Sequence, residues 1–472
     1  MIPMTLQDIA DVTAGTLVLR GGATAETVVE GLVDTDSRKI GPGDVFVAKP
    51  GEETDGHLFA PKAVEAGAAL VIDERELDLD VPQIVVANAV EALGALGTEV
   101  VRRVRSLGRL REIAVTGSNG KTTTKNLLQA IFSRRGETVA PIASFNNEVG
   151  APITFCRLTA STRYLIAEMG ASAPGEITRL TRMAKPDVGI VLTVGLAHAG
   201  EFGGIEVTLR SKTEMVQALD EGDVAVLNAD DARVRTMAEK TAARVVWFGR
   251  GDDADVRASD VTTSLDGTRF TLHVPGEEPV DVHFAVIGEH HVTNALAAAA
   301  AAHVEGVSAA DVRDALQEVT RAERWRMEVV HRGPVTVIND AYNASPDSMS
   351  AALRTLAQIA PPDARTIAVL GEMSELGPYA IEEHDRIGLL AVRLNIDQLV
   401  VVGRGARALH LGAIAQGSWS GESRFVEDAD EAYTLLEAEL RPGDIVLVKS
   451  SNSAGLRFLG DRLADLAEGR DA

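Results

Sequence analysis

The sequence has almost no cysteine. Cys156 is the single one in 472 residues, which excludes an intrachain disulfide and a cysteine-rich zinc site and suits a reducing compartment. No uninterrupted apolar run reaches the roughly 18 residues needed to cross a bilayer, so membrane insertion is not expected. Met1 to Gly15 carries Asp8 and Asp11 and has neither the basic start nor the apolar core of a secretory signal; the expected address is the cytoplasm. Basic charge is also short. Lys plus Arg number 46 against 69 Asp plus Glu, a formal net charge of −23. That balance repels polyanions unless basic groups are gathered locally, and nucleic acid is not an expected partner. What is present is ordinary globular material, 45% hydrophobic and 24% charged. The length suits about three domains, each large enough for a core.

No repeat of about 20 to 50 residues recurs, which excludes solenoids and propellers. From Gly31 to Ile72 turn signals such as Gly41-Pro42-Gly43-Asp44 introduce the apolar Val45-Phe46-Val47-Ala48, which suggests a small α/β unit. Asp73 to Asp80 is dense in charge and reads as a solvated loop. After Ile84-Val85-Val86, the apolar spacing of Val90 to Val104 predicts a helix leading into a second unit.

There the chain repeats a short apolar run, a polar or glycine-rich turn and a helical pattern, which is how a parallel sheet is written. The runs are Ile113-Ala114-Val115, Tyr164 to Ala167, Val188 to Leu192 and Val224 to Leu227. Ligands bind beyond the carboxyl ends of such strands, which singles out Thr116 to Thr123, Glu168, His198 and Asn228. Ala295 to Ala302, broken only by Leu296, reads as a packed helix. After Arg324 the theme restarts with Val335 to Ile338, Thr366 to Leu370, Leu399 to Val402 and Ile445 to Val448. The expected fold is α/β in three domains: a small N-terminal α/β domain (1–88), a central phosphate-loop domain (89–323) with a mostly parallel sheet and helices on both faces, and a C-terminal Rossmann-like doubly wound domain (324–472).

The strongest local signal is Thr116-Gly117-Ser118-Asn119-Gly120-Lys121-Thr122-Thr123, set between a strand and a helix. Glycines let backbone N–H groups converge on phosphate oxygens, and a helix N-terminus adds positive potential. Lys121 reaches the outer phosphates and the Thr122 hydroxyl suits Mg²⁺. The usual first glycine would fall at position 115, where Val115 stands, so the loop is a shortened variant. Glu168, after its own strand, is placed to complete a Mg²⁺ site or to be satisfied by backbone. His198 is equally open between ligand and structural residue.

Five segments in order resemble the Mur ligases, ATP-dependent amide-forming enzymes of peptidoglycan synthesis. They are the phosphate loop, Glu168-Met169-Gly170, Ala197-His198, Asn228-Ala229-Asp230-Asp231, and Gly288 to Ala297 with His290 and Asn294. Within that family Asp340-Ala341-Tyr342-Asn343-Ala344-Ser345-Pro346-Asp347-Ser348-Met349 is similar to the segment of the member that uses D-alanyl-D-alanine and UDP-N-acetylmuramoyl-tripeptide. So are Leu370 to Gly377 with His384, and Asp36-Ser37-Arg38 with Asp55-Gly56-His57. An Asp-Asn-Pro-Arg segment, as in the diaminopimelate-adding relative, is absent. Two departures stand out: Ser345 where Asn is commoner, and Lys449-Ser450-Ser451-Asn452 where Lys-Gly-Ser-Arg is usual.

The resemblance implies ATP and two Mg²⁺ ions, an acyl phosphate made from a substrate carboxylate, and attack on it by the dipeptide amine. It implies that Gly117, Ser118, Asn119, Gly120, Lys121, Thr122 and Thr123 hold the phosphates. Thr122 and Glu168 would hold one Mg²⁺, and His198 with a carbamylated Lys212 the other. Otherwise Lys212 is an ordinary exposed helix lysine. Asn294 and His290 would meet adenine, or cap a helix. Arg326 and Asp340 would close over ATP, with Tyr342 and Asn343 near the dipeptide. Ser37 and Arg38 would meet the uridine nucleotide and Asn147 the sugar or peptide. Closure about hinges near residues 88 and 323 would protect the acyl phosphate. A monomer is expected. The third residue of the tripeptide stays open, as do another amide ligase of the superfamily, an ATPase switch and a phosphotransferase.

Overall fold

The computed structural model describes residues 1–51, 54–196, 203–319, 324–417 and 419–471. Three sheets follow one another along the chain. The first has five strands in the order Thr16–Val18, Gln83–Val85, Leu70–Asp73, Val45–Val47, Val33–Asp34, parallel except at its first pair. The charged stretch beyond it is not a uniformly solvated loop. Asp73 is fully buried, and burial raises its carboxyl to about 7. Glu74 Oε1 accepts from Ala89 N at 2.8 Å and so anchors the start of the helix Ala89–Ser106.

The central sheet has nine strands. Arg111–Thr116 lies between Tyr164–Glu168 and Val188–Val191, all parallel. Successive connections leave it in opposite directions, so the topological switch point, where such sheets bind ligands, falls at its carboxyl end. These strands read as unbroken apolar runs because both faces are covered: Ile113 and Val115 join one core, Ala114 the other. The chain then adds Val256–Ser264, Gly267–His273 and Val280–Phe284, the last two antiparallel to their predecessors. This meander is absent from the sequence-based expectation.

The helix Glu289–Val304 crosses one face of the sheet against Lys121–Ser133. Its residues Ala295 to Ala302 are all 1% exposed or less, as befits a helix apolar on every side. Larger side chains would hold these elements apart. Ala298→Leu is expected to cost about 1 to 3 kcal/mol through overpacking, read as a lower urea midpoint at unchanged slope; an unchanged midpoint would show that the site has slack.

The third sheet runs Glu328–His331, Thr336–Asn339, Asp444–Lys449, Arg365–Leu370, Gln398–Val402, Glu422–Val426, parallel except at the first pair. It has its own core on each face. By contrast, one apolar cluster runs without a break from Ile9 and Ile84, through Ala92 and Leu93, to Leu180 and Met215 of the central unit.

Candidate active site

Gly120, in the left-handed region at φ 84°, turns the chain from the strand Arg111–Thr116 into the helix Lys121–Ser133. No side chain caps that helix, so its first N–H groups are open to an anion. A Cβ on Gly120 would lie 2.2 Å from Asn294 Oδ1. Gly120→Ala is therefore expected to displace Asn294 and strain the turn, weakening ATP binding at least about tenfold. Titration with a nonhydrolysable ATP analogue measures this, and unchanged affinity would contradict the cradle.

Lys121 Nζ folds back on its loop, donating to Gly117 O at 2.8 Å. Burial lowers its pKa, with Arg326 adding to the effect and Glu168 opposing it. Thr122 Oγ1 donates to Glu168 Oε1 at 3.3 Å and Asn146 Nδ2 to the same oxygen at 2.8 Å. Glu168 Oε2 is buried without a hydrogen-bond partner. A buried carboxylate oxygen left without a donor is costly, and a cation satisfies it. Mg²⁺ takes few protein oxygens and fills its shell with phosphates and water, so Thr122 and Glu168 fit that ion. Among the described residues no group of three or more His, Cys, Asp or Glu is placed to hold a metal by itself. Nor is any helix long and apolar enough to cross a membrane.

The C-terminal unit completes this cavity of about 270 Å³. Arg326 donates to Thr122 Oγ1 at 3.2 Å and stacks over the Tyr342 ring at 4.1 Å. Ser345 caps the helix Pro346–Ile359 and bonds Asn119 Oδ1 at 3.1 Å. The departure at Ser345 thus keeps a capping residue and adds a contact to the loop. Asp347 Oδ2 accepts from Leu196 N at 3.3 Å, and the Tyr342 and Ser144 hydroxyls lie 3.1 Å apart. Asp340 pairs with the buried Lys449 at 2.7 Å and accepts from Met327 N at 3.0 Å, so its carboxylate already has protein partners.

His290 and His291 stack at 4.1 Å beside Asn294. Burial lowers the His290 pKa to about 4 and drives that of His291 well below its ordinary value, so both imidazoles are neutral. Neutral rings and a carboxamide suit a purine better than a phosphate.

Lys212 is 2% exposed, in the middle of the helix Ile205–Gln217, so the exposed-lysine alternative is excluded. Burial first and the Lys121 charge second push its pKa down to about 7, against Glu176 and Glu214. His198 lies outside the described residues, as does the hinge expected near residue 323.

A second cavity, about 380 Å³, opens from Lys121 and Asn146 toward Asn147, Gly170 and Arg179. Asn147 Oδ1 accepts from Val149 N and Gly150 N, fixing the start of the helix Gly150–Phe155. Ser37 is buried, while Arg38 is exposed and paired through two nitrogens with Asp36. Neither Ser37 nor Arg38 lines the cavities around Lys121. Their loop nonetheless reaches the site, since Lys39 lies 5.1 Å over the Phe145 ring. Asn146, Lys449 and His291 were not expected. The doubled Asn and His beside expected residues were the only local signals, and Lys449 meets Asp340 from 109 positions away.

Comparison with known proteins covers the whole chain. The family model "Mur ligase family, catalytic domain" matches residues 31–113, "Mur ligase middle domain" 115–302, and "Mur ligase, glutamate ligase domain" 325–452. The UDP-N-acetylmuramoyl-tripeptide--D-alanyl-D-alanine ligase of Mycobacterium tuberculosis (strain ATCC 25618 / H37Rv) is 46% identical over 98% of both chains. A crystal structure of MurF from Acinetobacter baumannii superposes with a TM-score of 0.88 at 31% identity, covering 99% of each chain. MurF ligase from Thermotoga maritima, solved in complex with ADP, gives 0.80 at 25% identity over 93% of this chain and 99% of that one.

Proposed function

This chain belongs to the Mur ligase family, and from that premise we propose how its residues divide the work. The protein is an ATP-dependent ligase that joins D-alanyl-D-alanine to UDP-N-acetylmuramoyl-tripeptide in peptidoglycan precursor synthesis. The products are the pentapeptide, ADP and phosphate, reached through an acyl phosphate. It uses ATP and Mg²⁺.

The observation that carries the residue assignment is the 270 Å³ cavity. It brings an uncapped helix N-terminus, Lys121, a carboxylate oxygen without a donor and Arg326 of the C-terminal unit to one place. Two anions, nucleotide and carboxylate, must meet there, so positive charge and in-line positioning are what the protein has to supply. Residues 117–123 cradle the phosphates, with Lys121 swinging from its loop carbonyls to the outer ones. Bound Mg²⁺, on Thr122 and Glu168 and at a second site on His198 and carbamylated Lys212, neutralises phosphate charge. Asn294, against the glycine turn, holds the loop end of the nucleotide, and His290 with His291 faces the base. Arg326 and Asp340 bring the C-terminal unit onto ATP.

The muramoyl peptide occupies the 380 Å³ cavity beside Asn147, its uridine end toward Ser37 and Arg38. The dipeptide enters past Tyr342 and Asn343. The domains are taken as 1–88, 89–323 and 324–472, with closure of the third on the second excluding water. The working form is a monomer in the cytoplasm.

The test is phosphate release from ATP with the tripeptide nucleotide, with and without the dipeptide, followed by mass analysis. Release that requires both and yields the pentapeptide is expected. Release indifferent to the dipeptide would point to another amine or an ATPase switch; a stable phosphate ester would point to a phosphotransferase.

A further inference from the structure

A zwitterionic dipeptide needs an anion-binding group and a cation-binding group in one polar cavity that communicates with the acyl phosphate. One cavity of about 550 Å³ in the C-terminal unit has this chemistry. It opens where the loops after Arg365–Leu370 and Asp444–Lys449 meet the first turn of Leu456–Asp471. Arg457 and Glu375 bring opposite charges to it, with the hydroxyls of Ser374 and Ser453 between.

Arg457 is set in place by neutral partners. Its Nη1 donates to Asn452 O at 2.7 Å and to Asn452 Oδ1. The guanidinium lies 4.4 Å over the Phe458 ring and 5.4 Å over Trp325. Among the described residues no carboxylate is within ion-pairing distance of it. A guanidinium held by a carbonyl, an amide and two rings keeps its charge and its remaining N–H donors for a carboxylate.

Glu375 holds a left-handed backbone conformation, φ 63°, which costs strain in a residue with a Cβ and recurs where function requires it. Its side chain lines both this cavity and the one that reaches Lys121 and Asn146. Asn343 likewise lines both this cavity and the nucleotide cavity. Arg457 lines only this one of the three. The positive group therefore sits at the closed end, and the negative group and the carboxamide at the passages toward the reacting phosphate.

We infer that this cavity is the dipeptide site: Arg457 binds the terminal carboxylate of D-alanyl-D-alanine, and Glu375 holds its amino end at the passage. The inference rests on the ligase reaction given above. It also gives the sequence departure at position 452 a role, since Asn452 positions the guanidinium of Arg457 where it carries none of its own.

Steady-state kinetics with D-alanyl-D-alanine and with its C-terminal amide test this. Arg457→Ala is expected to raise KM for the dipeptide about 30-fold, the loss of one charge-assisted contact. KM for ATP and for the tripeptide nucleotide should not move. The wild type should favour the free acid over the amide, R457A should lose that preference, and R457K should regain part of it. Ser453→Asp, at an exposed position, sets a like charge against the carboxylate. It should raise the same KM and carries the test if R457A does not fold. Wild-type activity combined with an acid preference that survives R457A and an unchanged KM in S453D would overturn the site assignment alone. A wild type that forms no dipeptide product would overturn the ligase reading and this inference with it.

Discussion

Lys212→Ala should lower the rate of pentapeptide formation about a thousandfold, and acetate or another small carboxylate should restore part of it. The argument starts from burial. An ammonium 2% exposed, in the middle of a helix and close enough to Lys121 to feel its charge, is unfavourable, and its pKa falls to about 7. A neutral amine is what attacks CO₂: nitrogen bonds to carbon, the N–H proton leaves to solvent, and the product is an anionic carbamate. Repulsion with Lys121 then becomes attraction, and an oxygen donor faces the phosphates. Below pH about 7 the amine is protonated and cannot react. Activity should therefore decline as pH falls through about 7, and added bicarbonate should move the decline to lower pH. Bicarbonate should do nothing for K212A. A variant that loses activity with no carboxylate rescue, alongside a wild type indifferent to bicarbonate, would make Lys212 a packing residue instead.

Lys121→Ala should reduce ATP-dependent phosphate release by a similar factor, about a thousandfold, without unfolding the protein. Its ammonium has hydrogen bonds only to carbonyls of its own loop, Gly117 O and Ser118 O. Removing it deletes a cation that serves the nucleotide and leaves the strand and helix on either side unchanged. The thermal midpoint of the apo protein should stay near that of the wild type, while the stabilisation added by ATP and Mg²⁺ shrinks. Release within about tenfold of wild type would transfer the charge role to Arg326, the other cation against Thr122.

Parallel strands were easy to see because burial on both faces writes them as plain apolar runs, as in Ile113 to Val115. The meander from Val256 to Phe284 was not, although its burial alternates along Val280–Phe284. Its solvent face interrupts each run with Asp281 and His283, and a bulge near Ser259 shifts the period. In the site, what could be read lay within one turn of a glycine-rich loop. Asn146 reaching Glu168, Lys449 reaching Asp340 and Ser345 reaching Asn119 span 22, 109 and 226 positions. Such pairings are properties of the folded sheet, and spacing along the chain carries no trace of them. Asp73 was misread for the opposite reason: its neighbours are charged and solvated, and only the end of its strand turns it inward.

The unbroken apolar cluster from Ile9 to Met215 divides the molecule differently from its three sheets. The helix Ala89–Ser106 contributes Ala92, Leu93 and Leu96 to the same packing that holds Ile84 and Leu180. Where side chains interlock in this way, part of the structure cannot open without exposing the rest, and melting is shared. The C-terminal sheet has separate cores, to which the central unit lends Ile287 and the partly buried Leu265. Its remaining ties to the nucleotide loop are single hydrogen bonds, each about 1 kcal/mol net. The first two sheets thus form one rigid cooperative block, and the third is a separately melting body attached to it by a weak seam.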